Sequence, residues 1–400
     1  MAGLKYWLWL TTRQGVGNQA RLALLHAMGS PENIYYADEG EYLQVPGITR
    51  AVIEGLKDKS LKKVDAILGD CDRLGLQILT MQDALYPDRL RNIYDPPVLL
   101  YVQGRMPAFD EEVAVAMVGT RDATPYGRAM ASRLAYDLAS QGAVVVSGLA
   151  LGVDGCSHQA ALRAGGFTAA VIGGGHDIKY PRDNRWLYED IAAAGVILSE
   201  YPPGTEHRGS HFPVRNRIIS GLSVAVLVVE APERSGALIT ANAALEQGRD
   251  VFAVPGPVGS RESVGCHRLI QEGAGLVMEG RDLLRHYVHQ YHGKLHASGL
   301  PLPEDLRITP AEQLWQPARQ ENREPEAVSV PAAIDYRDSA LGLTDDQICI
   351  MECLGTNTLH IDDIIEETQI PARRASSALA MLQVDGYVVK DGMRYRAERP

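Results

Sequence analysis

Four hundred residues make roughly two to three ordinary domains, and 46% hydrophobic with 22% charged residues is the composition of a chain that buries a core. No apolar run reaches the roughly 18 to 20 residues of a membrane span, and the opening MAGLKYWLWLTTRQG has too short an apolar stretch for a signal peptide, so a cytoplasmic protein without a membrane segment is expected. Five cysteines with no CxxC pair exclude a disulfide framework and a zinc ribbon, and a formal charge of -11 runs against a wholly basic nucleic-acid domain. Of the 39 cations, however, 31 are Arg, the side chain that grips phosphate with two parallel hydrogen bonds.

Residues 1–80 read as a helical domain. QGVGNQARLALL (14–25) and QVPGITRAVIEGL (44–56) each place glycine between two helical patterns, like helix-hairpin-helix or SAM-like repeats. Nine basic and nine acidic residues up to Thr80 leave this part without a cationic surplus. Gly15, Gly17 and Ala20 match the G-x-G-x-x-A spacing of a dinucleotide site but lack the strand that gives that fingerprint its meaning.

From 81 to 280 the pattern changes. VAVAMV (113–118), AVVVS (143–147), FTAAVI (167–172), GVILSE (195–200), SVAVLVVEA (223–231) and DVFAVPG (250–256) are continuously apolar, as strands buried on both faces are. Helical patterns between them, such as Tyr126, Met130, Leu134 and Leu138, predict an α/β domain with a Rossmann-like, doubly wound, mainly parallel sheet. Residues 281–340, with six prolines and no sustained period, read as a linker. Residues 341–400 read as helix, turn, helix and a hairpin turning at Asp391-Gly392, a winged-helix pattern with six basic and ten acidic side chains.

In such a sheet ligands gather outside the carboxyl ends of the strands, where helix N-termini favour anions. The residues there are Gly119-Thr120-Arg121, Ser147-Gly148, Gly173-Gly174-Gly175 with the later Tyr180-Pro181-Arg182, the block HRGSHFPVRNRIISG, and Arg234-Ser235-Gly236 with Thr240 one turn on. Arg215 and Arg217 stand about 200° apart around a regular helix, so both cannot face one ligand unless the segment is irregular; at least one is expected to serve the ligand, the alternative being that one of them forms a structural ion pair. Phe212 is one of only four Phe; it either stacks on a base or staples its helix to the core. Ser235 is either part of an anion nest or an ordinary helix cap. Asp154 and His158 read as a cap and a packing group rather than a catalytic pair. His207 and His211, with Gly209 and Ser210 between them, do not read as a metal site, and no Walker motif is present, so no metal or cofactor is expected.

The blocks VGTRDATPYG, VSGLALGVDGCSHQAAL, AVIGGGHDIKYPRDN, SEYPPG, HFPVRNRIISGLS, VVEAPERSGALITANAALEQGRDVFAVPG and GCHRLIQEGA, in this order, resemble the DNA-processing protein A (DprA/Smf) family over residues 80–278. The resemblance implies a non-enzymatic single-stranded DNA-binding protein of natural transformation. Such a protein shields incoming strands, loads the RecA recombinase and self-associates as a homodimer. Carried over by motif, the DNA site comprises Gly119, Arg121, Ser147, Gly148, Arg182, Arg208, Phe212, Arg215, Asn216, Arg217, Ser235, Gly236 and Thr240. Arg208 stands near where the family often has Lys. Leu269 and Ile270 are the expected dimer contacts, the alternative being burial in their own domain. Two other classes compete. A nucleotide-processing enzyme of a related Rossmann-like fold would need a PGGxGTxxE-type acid, which residues 234–240 lack. A duplex-DNA regulator would act through the winged helix.

Overall fold

The computed structural model describes residues 3–296, 336–337, 341–355, 357–391 and 394–398. The chain divides into two compact units, Met1–Ala311 and Glu312–Pro400.

The first unit opens with helices α1 (Leu4–Thr11), α2 (Asn18–Met28), α3 (Pro31–Tyr36), α4 (Glu39–Leu43), α5 (Arg50–Lys57) and α6 (Lys62–Leu74). The apolar run at the N-terminus is spent in α1, whose Tyr6 to Leu10 are buried. Each expected glycine turn is present: Gly15 (φ 76°) between α1 and α2, and Gly47 (φ 81°) between α4 and α5. Both lie in the left-handed region that favours glycine. These helices share a core with Val98, Leu99 and Tyr101, so they pack directly onto the sheet that follows.

That sheet has nine strands: β1 (Gln77–Thr80), β2 (Leu99–Gly104), β3 (Ala114–Val118), β4 (Val144–Ser147), β5 (Thr168–Ile172), β6 (Val196–Ser199), β7 (Ala225–Val228), β8 (Asp250–Ala253) and β9 (Gly275–Leu276). Their order is β1-β2-β6-β5-β4-β3-β7-β8-β9. All neighbours from β6 to β9 are parallel, while β2 runs antiparallel to both β6 and β1. The six strands expected from apolar runs are β3 to β8. The sequence reading did not anticipate β1, β2 or β9. β1 and β2 pair only with strands of opposite direction, and β9 has two residues, too few for a pattern. β1 belongs to the sheet although it precedes residue 81.

The helices are α7 (Asp88–Arg91), α8 (Pro125–Ser140), α9 (Val153–Arg163), α10 (Arg185–Ala194), α11 (His211–Gly221), α12 (Gly236–Glu246), α13 (Val264–Gln271) and α14 (Gly280–Leu284). They cover both faces of the sheet. Ala116 and Val146, partners in register on β3 and β4, face a core that includes Ile218 and Ala241. Val115 and Val145, one residue earlier on the same strands, face the opposite core with Leu134 and Ala161. The stretch from 281 does not begin as a linker. Leu283, Leu284 and Tyr287 are buried in the second of these cores, whose other members lie far away in the sequence, which is why no local period revealed them. The remainder of the expected linker, 297–335 and 338–340, lies outside the described residues.

The second unit contains α15 (Asp345–Leu354), β10 (Thr358–His360), α16 (Ile361–Thr368), α17 (Ala372–Val384), β11 (Val388–Asp391) and β12 (Arg394–Ala397), with strand order β10-β12-β11. Ile350, Leu354, Ile364, Leu379, Leu382 and Tyr395 form its core. The expected helix, turn, helix and hairpin are all present. The expected turn residue Gly392 lies outside the described residues.

Candidate nucleic-acid interface

β3 has β4 on one side and β7 on the other, so the chain leaves the sheet in opposite directions at this pair. A doubly wound sheet opens a crevice at such a switch point. Here it is a cleft of about 730 Å³, lined by the residues after β3 (Gly119 to Asp122), the start of α11 and the start of α12.

The electrostatics of the cleft follow from which helix N-termini the protein closes itself. Glu230, at the end of the β7 run, is buried. Its carboxylate accepts from Thr124 N at 2.8 Å and from Thr124 Oγ1 at 2.6 Å, occupying the positive end of α8. Asp154, also buried, accepts from Gly148 N at 3.1 Å and Ala150 N at 3.4 Å in the loop leading to α9. Burial pushes its carboxyl above the ordinary range, while the charge of Arg215 pulls the other way. Asp154 thus lies inside the first turn of α9 and braces the loop ahead of it, while the helix itself has no side-chain cap, so the expected capping of α9 by Asp154 is not met. Helices α11 and α12 carry no acid in their first turns, and both begin at the cleft. Their positive ends are the ones available to an anion.

Arg121 is exposed, forms no ion pair among the described residues, and lies over the ring of Phe212 at 4.7 Å from the centroid. Phe212 in turn borders Tyr180 (6.0 Å between centroids) and His207 (6.4 Å), which are 5.4 Å from each other. The cleft therefore joins a cation to an aromatic wall. Gly173 and Gly174 hold that wall rather than a phosphate: a Cβ on Gly174 would fall 2.7 Å from His207, and one on Gly173 would fall 3.4 Å from Phe212. His207 donates from Nε2 to Ile178 O and His211 from Nδ1 to Gly173 O, so the two rings are committed to different carbonyls. Burial lowers the His207 pKa and favours the neutral ring.

The remaining expected site residues divide. Gly119, Asn216, Ser235, Gly236 and Thr240 line the cleft. Ser235 is the cap of α12, accepting from Ala237 N at 3.2 Å, so the alternative of an ordinary helix cap holds. Arg182 and Arg208 are exposed but do not line the cleft. Ser147 is fully buried, and its hydroxyl donates to Met117 O at 2.6 Å. Gly148 is buried against Arg215.

Arg215 lies at the cleft floor but is only 4% exposed, and its Nη1 donates to Val171 O at 2.7 Å. Arg217 points away, held by Glu200 at 2.8 Å and Asp95 at 3.0 Å. The alternative that one of the two arginines forms a structural ion pair is met. Arg217 makes the ion pair, and Arg215 is a buried cation that shapes the floor. α11 begins at His211, two residues before the expected start, with Pro213 in its first turn, where a missing N–H is harmless.

Sequence reasoning did not select Arg234, Tyr180 or His207, all of which line the cleft. Arg234 is exposed and forms no ion pair among the described residues. Its position just past β7 was the available signal. Leu269 is 5% exposed and belongs to the core of its own domain, whereas Ile270 is partly exposed. Among the described residues no group of His, Cys, Asp or Glu could hold a metal, and no helix is long and apolar enough to cross a membrane.

A doubly wound α/β domain with a strand-end cleft that brings together an exposed arginine, aromatic rings and two helix N-termini free of acids, carried in one chain with a winged helix, defines a protein of Rossmann-like class. A family model described as DNA recombination-mediator protein A matches residues 77–288, and one described as the DprA winged helix domain matches residues 335–391. Protein Smf of Synechocystis sp. is 33% identical over 399 residues, 98% of each chain. DNA processing protein DprA of Bacillus subtilis is 40% identical over 255 residues, 62% of this chain and 86% of that one. The X-ray structure of DNA processing protein A from Streptococcus pneumoniae is 39% identical, with a TM-score of 0.62 over 70% of this chain and 97% of that chain. The chain belongs to the DprA/Smf family of DNA recombination mediators and is a DNA-processing protein.

Proposed function

We propose that the cleft grips the sugar-phosphate chain of single-stranded DNA without reading its sequence, and that the bound strand is protected and handed to the RecA recombinase during transformation. The observation that carries this reading is Arg121 over Phe212, beside the acid-free N-termini of α11 and α12. The cation and amides suit phosphate, and the aromatic wall suits an unpaired base, whose π-face a duplex hides. The description of the family as recombination mediators supports RecA as the partner. The work is that of a cytoplasmic binding factor rather than an enzyme. Asp154, the buried carboxylate at the cleft floor, is committed to backbone amides, and residues 234–240 bring no acid.

The test is a titration of oligo-dT at several salt concentrations, with duplex as competitor. Each phosphate contact contributes a slope near 0.7 in log K against log salt, so Arg121→Ala weakens binding and flattens the slope by about one contact. Phe212→Ala weakens binding with the slope unchanged. Wild-type affinity in both variants, or preference for duplex, overturns the reading. Release of free base from nucleotides, followed by chromatography, would instead establish an enzyme.

A further inference from the structure

Trp186 is an indole left in solvent. Trp7 and Trp9 are buried in the helical region, whereas Trp186, in the first turn of α10, is 48% exposed and makes no ring contact among the described residues. Its neighbours Leu187, Tyr188 and Ile191 supply the buried face of α10, so the fold has no need of an aromatic ring at 186.

The surroundings are those of a path leading out of the cleft. Tyr180, 45% exposed, is part of the cleft wall. A small pocket of about 40 Å³ adjoins the cleft, sharing Arg121, Tyr180 and Phe212 with it and adding Pro181 and Leu151, which is 39% exposed. Beyond Pro181 comes a single turn of 3-10 helix, Arg182–Asn184, and then α10. Asn184 ties this strip to the cleft, donating to Leu149 O at 3.1 Å and to Ala150 O at 2.9 Å. Arg182 and Arg185 are exposed and form no ion pairs among the described residues, while Lys179 is paired with Glu189. Asp183 is the exposed acid within the strip.

We propose that Tyr180, Arg182, Arg185 and Trp186 form a second segment of the single-strand path, in which a base leaving the cleft stacks on the Trp186 indole and the two arginines accompany the backbone. The inference rests on the reading of the cleft as a single-strand site. A sequence-tolerant track of this kind is built from alternating stacking rings and cations. It gives the bound strand a direction: one end lies between α11 and α12, the other passes over the start of α10.

The two claims separate by oligonucleotide length. A short oligo-dT of about 4 nucleotides fills only the cleft, and one of about 20 also reaches the strip. Trp186→Ala weakens the long oligonucleotide roughly tenfold and leaves the short one unchanged; Trp186→Phe restores most of the loss. The fluorescence of Trp186, taken as wild type minus Trp186→Phe, is quenched by the long oligonucleotide only. Arg182→Ala with Arg185→Ala flattens the salt slope for the long oligonucleotide alone. Equal binding of both lengths by wild type and Trp186→Ala, with no quenching, overturns the second segment while leaving the cleft intact. Undiminished binding of the short oligonucleotide by Arg121→Ala overturns the cleft itself.

Discussion

The guanidinium of Arg215 occupies the space that a side chain at Gly148 would fill: a Cβ built on Gly148 would lie 1.6 Å from Arg215 Nη1. The Ser147-Gly148 step therefore serves the cleft from below, letting a buried cation reach Val171 O while Asp154 provides the opposing charge. Gly148→Ala forces Arg215 out of place and destabilises the domain by about 2–3 kcal/mol, as overpacking does. Urea unfolding monitors the loss. Oligonucleotide affinity falls together with stability, whereas Arg121→Ala lowers affinity alone.

Arg217 is the structural counterpart. Burial disfavours its charge, but Glu200 and Asp95 outweigh that and hold the guanidinium firmly protonated. Asp95 also accepts from the Asn18 and Gln19 amides of α2, so this cluster fastens α11 to the helical region. Arg217→Ala leaves two partly buried carboxylates unpaired and lowers stability by roughly 3 kcal/mol. The salt slope of DNA binding in the surviving folded protein stays at its wild-type value, which titration at several ionic strengths checks.

Two buried histidines make the Rossmann-like domain acid-sensitive. His158 donates from Nδ1 to Thr168 Oγ1 at 2.7 Å, because that hydroxyl is itself donating to Val145 O; Nε2 has no partner among the described residues. His176 donates from Nε2 to Ile197 O, and its Nδ1 has no partner among the described residues. A second proton on either ring would find no acceptor, and burial pushes the pKa values down to about 3 and about 4. In the unfolded chain both titrate near 6.5. Stability is therefore retained above about pH 6.5 and declines as pH falls toward 4, because only the unfolded state takes up these protons. Each histidine contributes up to about 1.4 kcal/mol per pH unit. Urea midpoints measured between pH 7.5 and 5 show the decline, and His158→Asn makes it shallower.

Leu269 and Ile270, adjacent in sequence, have different fates. β9 is an edge strand of the sheet and pairs with β8 only at Phe252 and Ala253; on it Leu276 is 45% exposed, and Ile270, in the preceding helix α13, is partly exposed. An open edge with apolar side chains is a pairing surface. We propose that this edge carries the expected homodimer contact: in analytical ultracentrifugation the wild type sediments as a dimer and Ile270→Glu combined with Leu276→Glu as a folded monomer, and a monomeric wild type overturns the proposal. Leu269→Ala lowers the unfolding midpoint, by about 2–4 kcal/mol in stability, without such a shift in mass.

The sequence alone determined the elements whose signals are local: six strands buried on both faces, because continuous apolarity needs no knowledge of partners, the glycine turns of the helical region, and the winged-helix hairpin. It also located the cleft, since residues that follow strands of a doubly wound sheet must lie at its carboxyl edge. Tertiary structure decided what each of those residues does there. Three arginines carried in two sequence blocks, Arg121 in one and Arg215 with Arg217 in the other, become an exposed cation over Phe212, a buried cation beneath the floor, and an ion pair behind it. That division depends on Glu200, Asp95, Asp154 and Gly148. The nearest of these to any arginine it governs is 17 positions away in the chain, and only folding brings their charges within reach of one another.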